Sequence, residues 1–257
     1  VFMSVPKIAV YKFSSCAGCQ LQFINFESEM LDLVGQVDIR YFKEATSLDA
    51  EGPYDIGFVE GSITCRHEEE RILKARDDCK VIIALGACAC EGCINTMKNY
   101  RPIEKQVERV YEYPEYIETF DKAFGIDHFI KVDAYIHGCP VDRVELREMT
   151  TAFLLNKKPF MRPHAVCVEC KLNENECLLL SQNALCLGSV TRGGCHAICT
   201  THGRPCFGCR GPNVDADPVA LVNIFRRLGY DDDEIKRRFK YFSGETPAFR
   251  KGAEACV

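Results

Sequence analysis

Seventeen of the 257 residues are cysteine, and their spacing carries most of the chemistry legible in the chain. Cys16 and Cys19 form a CxxC (CAGC) directly after an apolar, β-branched run, Cys88 follows a second such run, and Cys139 a third. Further on, Cys167 and Cys170 form another CxxC. Cys177, Cys186, Cys195 and Cys199 follow, and Cys206 with Cys209 closes the series as a third CxxC. Thiolates in fours suit a cubane 4Fe4S cluster or a zinc ion, both of which accept four sulfur ligands in tetrahedral disposition. An odd count cannot close completely into intrachain disulfides, so metal ligation is the better use of this sulfur.

Such ligands need elements that bring them together. Lys7 to Phe13, Val37 to Phe42, Asp55 to Glu60, Lys80 to Gly86 and Phe129 to Ile136 read as short strands. Between them, Phe23, Phe26, Met30 and Leu33 recur at helical spacing, and Arg66 to Asp77 is charged and helix-favouring. Leu146, Met149 and Phe153 mark a last helix, with Pro140 or Val141 predicted in its first turn. Residues 100–127 read as helical surface excursions. Alternation of this kind predicts a parallel, doubly wound α/β sheet, whose strands present ligands at their carboxyl ends. Cys16, Cys19, Cys88 and Cys139 share that address. Cys88 is preferred over Cys90 and Cys93 because it lies nearest the strand end.

The character of the chain changes after Asn156. Lys157, Lys158, Pro159 and Pro163 suggest a linker, dividing the chain into domains 1–156 and 157–257. From Val166 to Gly211 glycine and cysteine are dense and apolar periodicity disappears, so two metal centres are expected to supply the missing folding energy there. A single hydrophobic core is expected only in the first part of the chain. Sequential reading gives Cys167, Cys170, Cys177 and Cys186 for one centre and Cys195, Cys199, Cys206 and Cys209 for the other; interleaved ligation is the alternative. Asp217 and Pro218 open a helix carrying Leu221, Phe225 and Leu228, closed by Gly229. The tail from Phe242 gives no clear pattern, and Asp231, Asp232 and Asp233 read as solvated surface. Cys65, Cys79, Cys90, Cys93 and Cys256 remain over and are expected to be small buried hydrophobes. His137, His164, His196 and His202 are less favoured ligands.

The composition excludes several functions. Net charge is -5 with no long basic run, which disfavours nucleic acid, and no apolar stretch approaches the roughly 20 residues of a membrane span. The thiol content and the absence of a leader signature predict a cytoplasmic setting. Neither a nucleophile–base pair, a GxxxxGK phosphate loop nor an HExxH motif is present, so no catalytic residue is assigned.

Together, CAGCQ from Cys16, EGSI from Glu60, GACA from Gly86, GCP from Gly138, LCLGSVTRGGC and CFGCRGP resemble the small subunit of nickel-iron hydrogenases. The resemblance covers nearly the whole chain. It implies a flavodoxin-like domain holding a proximal 4Fe4S cluster on Cys16, Cys19, Cys88 and Cys139, and a smaller domain of little regular structure with a medial cluster on Cys195, Cys199, Cys206 and Cys209 and a distal one on Cys167, Cys170, Cys177 and Cys186. Cys167 stands where many periplasmic members carry histidine, and Cys199 has no counterpart in their three-iron medial site; both departures imply three full cubanes. Val141 replaces the second proline of the usual GCPP.

These features resemble cytoplasmic multisubunit hydrogenases, the sulfhydrogenases of heat-loving archaea among them. What they imply is electron transfer by this chain between the nickel-iron site of a large subunit and flavin- and iron-sulfur-containing diaphorase subunits that use NADP or NAD. The alternatives are delivery to a deazaflavin or a heterodisulfide reductase, and a zinc-stabilised interaction module. A respiratory-complex subunit would resemble only the N-terminal half and carry adjacent cysteines, which are absent here.

Overall fold

The computed structural model describes residues 5–25, 37–155 and 157–256. Two compact units result, residues 1–160 and 161–257, meeting inside the Lys157 to Pro163 stretch.

The first unit runs β1 (Lys7–Lys12), α1 (Gly18–Ile24), β2 (Asp38–Phe42), β3 (Tyr54–Glu60), α2 (Arg66–Asp78), β4 (Cys79–Leu85), α3 (Gly86–Glu91), a 3-10 segment (Cys93–Tyr100), α4 (Ile103–Val110), β5 (Ala134–Ile136) and α5 (Arg143–Leu154). The sheet order is β2-β1-β3-β4-β5 and every pairing is parallel, the flavodoxin-like arrangement. A parallel sheet covered on both faces needs apolar residues on both, and all seven residues of β3 are buried. The pleat sorts them: Ile8 and Val10 of β1 enter one core with Phe58 and Leu85, while Ala9 and Tyr11 enter the other with Val59 and Ala84. Phe23 of α1 packs edge-on against Phe58 with ring centroids 4.8 Å apart, which fixes the helix that carries Cys19. Phe26, Met30 and Leu33 lie outside the described residues.

Two boundaries differ from expectation. β5 begins at Ala134 rather than near Phe129, because the Phe129 and Ile130 amides turn back to the Ile126 carbonyl and leave that stretch no ladder to join. α5 begins at Arg143, after Asp142 caps it through the Glu145 amide at 3.0 Å; Pro140 instead follows a cis peptide bond in the preceding turn.

In the second unit, α6 (Val166–Leu172), α7 (Leu178–Ser181) and α8 (Ile198–Thr201) are short pieces among loops, and α9 (Pro218–Arg227), α10 (Asp232–Lys240) and α11 (Pro247–Glu254) follow. Asp217 caps α9 through the Ala220 amide at 3.0 Å, and Asp231 caps α10 through Glu234 at 2.7 Å, so Asp231 is more than solvated surface. Leu187, Val190, Leu221, Val222, Phe225, Ile235, Phe239 and Phe249 form a continuous core. A hydrophobic core confined to the first part of the chain is therefore overturned. The tail that offered no pattern supplies Phe249, which is fully buried and packs edge-on against Phe239 at 5.6 Å. Among the described residues no helix is long and apolar enough to cross a membrane.

Candidate metal centres

In a 2-1-3-4-5 sheet the topological switch point lies between β1 and β3, and the crevice at the strands' carboxyl ends is the natural ligand site. Cys16 and Cys19 follow β1, Cys88 follows β4 and Cys139 follows β5, while Glu60 ends β3. Glu60 is buried with its carboxylate on this crevice: it accepts the Cys19 amide at 2.9 Å and the Gln20 side-chain amide at 2.8 Å. The β4 and β5 loops are joined by the Ala87 amide, which donates to the Gly138 carbonyl at 2.7 Å.

Close approach explains the glycines. Gly86 has φ +83, and a β-carbon there would overlap Cys19 Sγ; one on Gly18 would come within 3.2 Å of Cys16 Sγ. Space is thus kept clear immediately beside the sulfurs. Cys16 is exposed, Cys19 buried, and Cys88 and Cys139 are half-buried. Burial, then the charge of Glu60 and those of Cys88 and Cys139, pushes the Cys19 thiol up, which places Cys88 and Cys139 within electrostatic reach of Cys19. Contact with Cys93 lowers Cys139 to about 7.

The crowded loop after β4 separates its three cysteines. Cys88 faces the Cys19 and Cys139 side. Cys90 points into the sheet, where its thiol approaches the carbonyls of Ala84 and Ile136 at 3.8 and 3.7 Å. Cys93 is 1% exposed and contacts both Cys139 and Cys88. Cys79, Cys90 and Cys256 are buried, as expected of small hydrophobes, whereas Cys65 is partly exposed at the start of α2.

In the second unit, Cys167 is raised to about 11 by burial and then by Cys186, Cys170 and Cys177, so it lies within electrostatic reach of these three sulfurs. A β-carbon on Gly188 would lie 3.3 Å from Cys167 Sγ and 3.5 Å from Cys186 Sγ. Burial, and next the charge of Cys209, pushes Cys206 up, while burial raises Cys195, with Cys199 adding to it. The two groups touch where the Cys206 amide donates to Cys186 Sγ at 3.3 Å. Burial raises Cys199, and Cys186 is its next influence.

A carboxylate that sequence reasoning missed organises these loops. Glu169, inside the CVEC pair, accepts the Gly194 amide, the Ala197 amide at 3.3 Å and His164 Nε2 at 3.1 Å. It ties the first CxxC of this unit to the loop bearing Cys195 and engages His164. His137 similarly faces Glu91 at 3.3 Å. The signal for Glu60 and Glu169 was an acid in an otherwise apolar or cysteine-rich context.

The donor sets fit four-thiolate metal centres, which a 4Fe4S cluster or a tetrahedral zinc ion would satisfy alike. Burial disfavours bare thiolates, a cost that a bound metal cation would offset.

Residues 16–153 match the family model described as NADH ubiquinone oxidoreductase, 20 Kd subunit. The chain is 32% identical over 242 residues to sulfhydrogenase 2 subunit delta of Pyrococcus furiosus, covering 92% of this chain and 99% of that one. It is 30% identical over 237 residues to a vhu subunit of the F420-non-reducing hydrogenase of Methanocaldococcus jannaschii, covering 80% and 81%. In fold it is similar to a chain in the crystal structure of NAD+-reducing NiFe-hydrogenase in the H2-reduced state, with TM-score 0.57 and 22% identity over 62% of this chain and 96% of that one.

Proposed function

The chain belongs to the NADH ubiquinone oxidoreductase, 20 Kd subunit family, alongside hydrogenase subunits, and from that premise we propose that it is the electron-conducting small subunit of a multisubunit nickel-iron hydrogenase. The family model stops at residue 153, and the eight cysteines from Cys167 to Cys209 favour the hydrogenase reading over a respiratory-complex subunit. The carrying observation is the meeting of the β1, β4 and β5 loops at the sheet's carboxyl edge, with Cys88 and Cys139 in reach of Cys19 and Cys19 anchored by Glu60.

In this reading Cys16, Cys19, Cys88 and Cys139 hold the proximal 4Fe4S cluster. Cys195, Cys199, Cys206 and Cys209 hold the medial cluster, and Cys167, Cys170, Cys177 and Cys186 the distal one. When bound, the clusters supply one-electron transfer. The protein's part is to bury the ligand sulfurs, direct amides at them and fix the order of the sites. The Cys206 amide on Cys186 Sγ is such a contact, joining the two groups of the second unit. Partners are a large subunit with the nickel-iron site, which oxidises hydrogen or reduces protons, and flavin- and iron-sulfur-containing subunits that use NADP or NAD. The odd and high thiol count supports a reducing, cytoplasmic setting.

Anaerobic purification of the native complex tests this. About twelve iron and as much acid-labile sulfide per chain are expected, with a nickel-containing partner and a flavin subunit copurifying. Cys88→Ser should remove about four iron while Cys90→Ser removes none. About three zinc without sulfide would overturn the electron-transfer reading. A deazaflavin- or heterodisulfide-reducing partner would overturn the choice of acceptor alone.

A further inference from the structure

Three arginines of the last three helices differ in what neutralises them. Arg226 forks onto Asp232 with both contacts at 2.7 Å, and Arg250 pairs with Glu245 at 3.0 Å. Arg238 of α10 is half-buried, and among the described residues no carboxylate pairs with it. Glu234, one turn earlier, lines the same surface cavity but stays beyond ion-pair distance. What holds Arg238 instead is a clamp. Its Nε donates to the Leu185 carbonyl at 2.8 Å, and its guanidinium lies over the Phe207 ring, 4.0 Å from the centroid. Phe207 is backed in turn by the rings of Tyr241 and Phe242, at 6.1 and 6.4 Å.

The two points of the clamp are chain neighbours of sulfur. Leu185 immediately precedes Cys186 and Phe207 immediately follows Cys206, and these are the cysteines joined by the Cys206 amide and Cys186 Sγ at 3.3 Å. A half-buried cation without a counter-anion is costly, so an anion beside it is the expected complement. Burial pulls the Arg238 pKa down, and the charges of Cys186 and Cys206 oppose that pull.

We propose that Arg238 is the fixed counter-charge of the second unit's two metal centres, a positioning residue that clamps the Cys186 and Cys206 loops and raises the reduction potentials of both centres. This rests on the 4Fe4S reading of those sites. A cubane held by four thiolates is a net anion, and each one-electron reduction adds a further negative charge that a neighbouring cation stabilises. A guanidinium does not deprotonate in a protein, so this contribution is constant with pH.

The experiment uses the anaerobically purified native complex with Arg238→Gln, Arg238→Met and Arg238→Lys, reading iron content and an EPR-monitored redox titration of the second unit's centres. Iron should stay at the wild-type value in all three. In Arg238→Gln the reduction equilibrium of both centres should fall about tenfold, equivalent to about 59 mV for a one-electron couple. Arg238→Met, which keeps an apolar stem without the charge, should match it and serves if the glutamine form fails to fold. Arg238→Lys should recover most of the shift, because it restores the charge without the planar fork. Unchanged potentials in the glutamine and methionine variants, an equal fall in the lysine variant, or loss of iron from all three would reduce Arg238 to a fastener of the loops; each overturns the proposal. A wild-type complex without iron would instead overturn the function on which it rests.

Discussion

The first unit places its candidate ligand cysteines on loops that leave a parallel sheet buried on both faces, so each of these sulfurs inherits its position from a strand end. The second unit places its candidate ligand cysteines between Cys167 and Cys209, on short helices and turns, while its apolar core is gathered mainly from α9, α10 and α11 further along the chain. Only Leu187 and Val190 carry that core back into the cysteine-rich loops as fully buried members. In one unit packing builds the site; in the other packing builds a platform and leaves the site to polar ties such as Glu169 and to whatever the thiols bind. Metal dependence should therefore be unequal within one chain.

Removal of metal is the strongest way to break that contrast. When a chelator strips the full-length chain anaerobically, limited proteolysis should cut within residues 166–211 while the sheet of the first unit remains protected. Structural metal sites carry folding free energy of order 10 kcal/mol, and the loops have little apolar burial to replace it. Uniform protection across both units would show that α9 to α11 and the Glu169 ties suffice without metal.

The converse substitution acts on the packed site. Gly86→Ala places a β-carbon against Cys19 Sγ at φ +83. The left-handed conformation alone costs about 1–2 kcal/mol, and relief of the overlap must move the Cys19 loop or the β4 end. Thermal unfolding should fall accordingly, and iron should be lost from the first unit only. An alanine variant with full iron content would mean that the crevice is roomier than its glycine suggests.

Legibility in the sequence follows the same division. All five strands were readable because burial on both faces leaves compact apolar runs such as DIGFVE and KVIIALG. The ligand loops were readable because CxxC and Gly-Cys steps sit at strand ends. The start of β5 was not, since Phe129 and Ile130 are apolar for packing while their amides serve a turn. The core of the second unit was half-hidden: α9 shows its caps, but Phe249 lies in a short helix whose partner, Phe239, is too distant in sequence for periodicity to reveal. The anchoring role of Glu60, quoted only as part of EGSI, and Glu169 altogether were not readable, because hydrogen bonds from loop amides to acids leave no repeating pattern.

The smallest effect sharpens the comparison by isolating a contribution that needs no metal. Asp133 accepts the Ile82 amide at 2.8 Å and pairs with Arg76 at 2.7 Å, fastening the approach to β5 onto β4. Burial alone would raise its carboxyl pKa, but the Ile82 amide and Arg76 outweigh it and hold the group below its ordinary value. A folded-state pKa below the unfolded one, about 3.9 for aspartate, means that the stabilisation is complete above that pH. It fades as pH falls through the lower folded value. Asp133→Asn should thus cost about 1–2 kcal/mol near neutral pH, and the gap between variant and parent should close in acid. Urea unfolding of the metal-free chain at neutral and at acid pH, followed by a probe of the sheet, measures it. Because Asp133 lies in the first unit and far from the second unit's sulfurs in sequence, the same difference should persist in the metal-loaded protein; a gap that appears only with metal bound would mean that the sheet edge and its cluster are energetically one element.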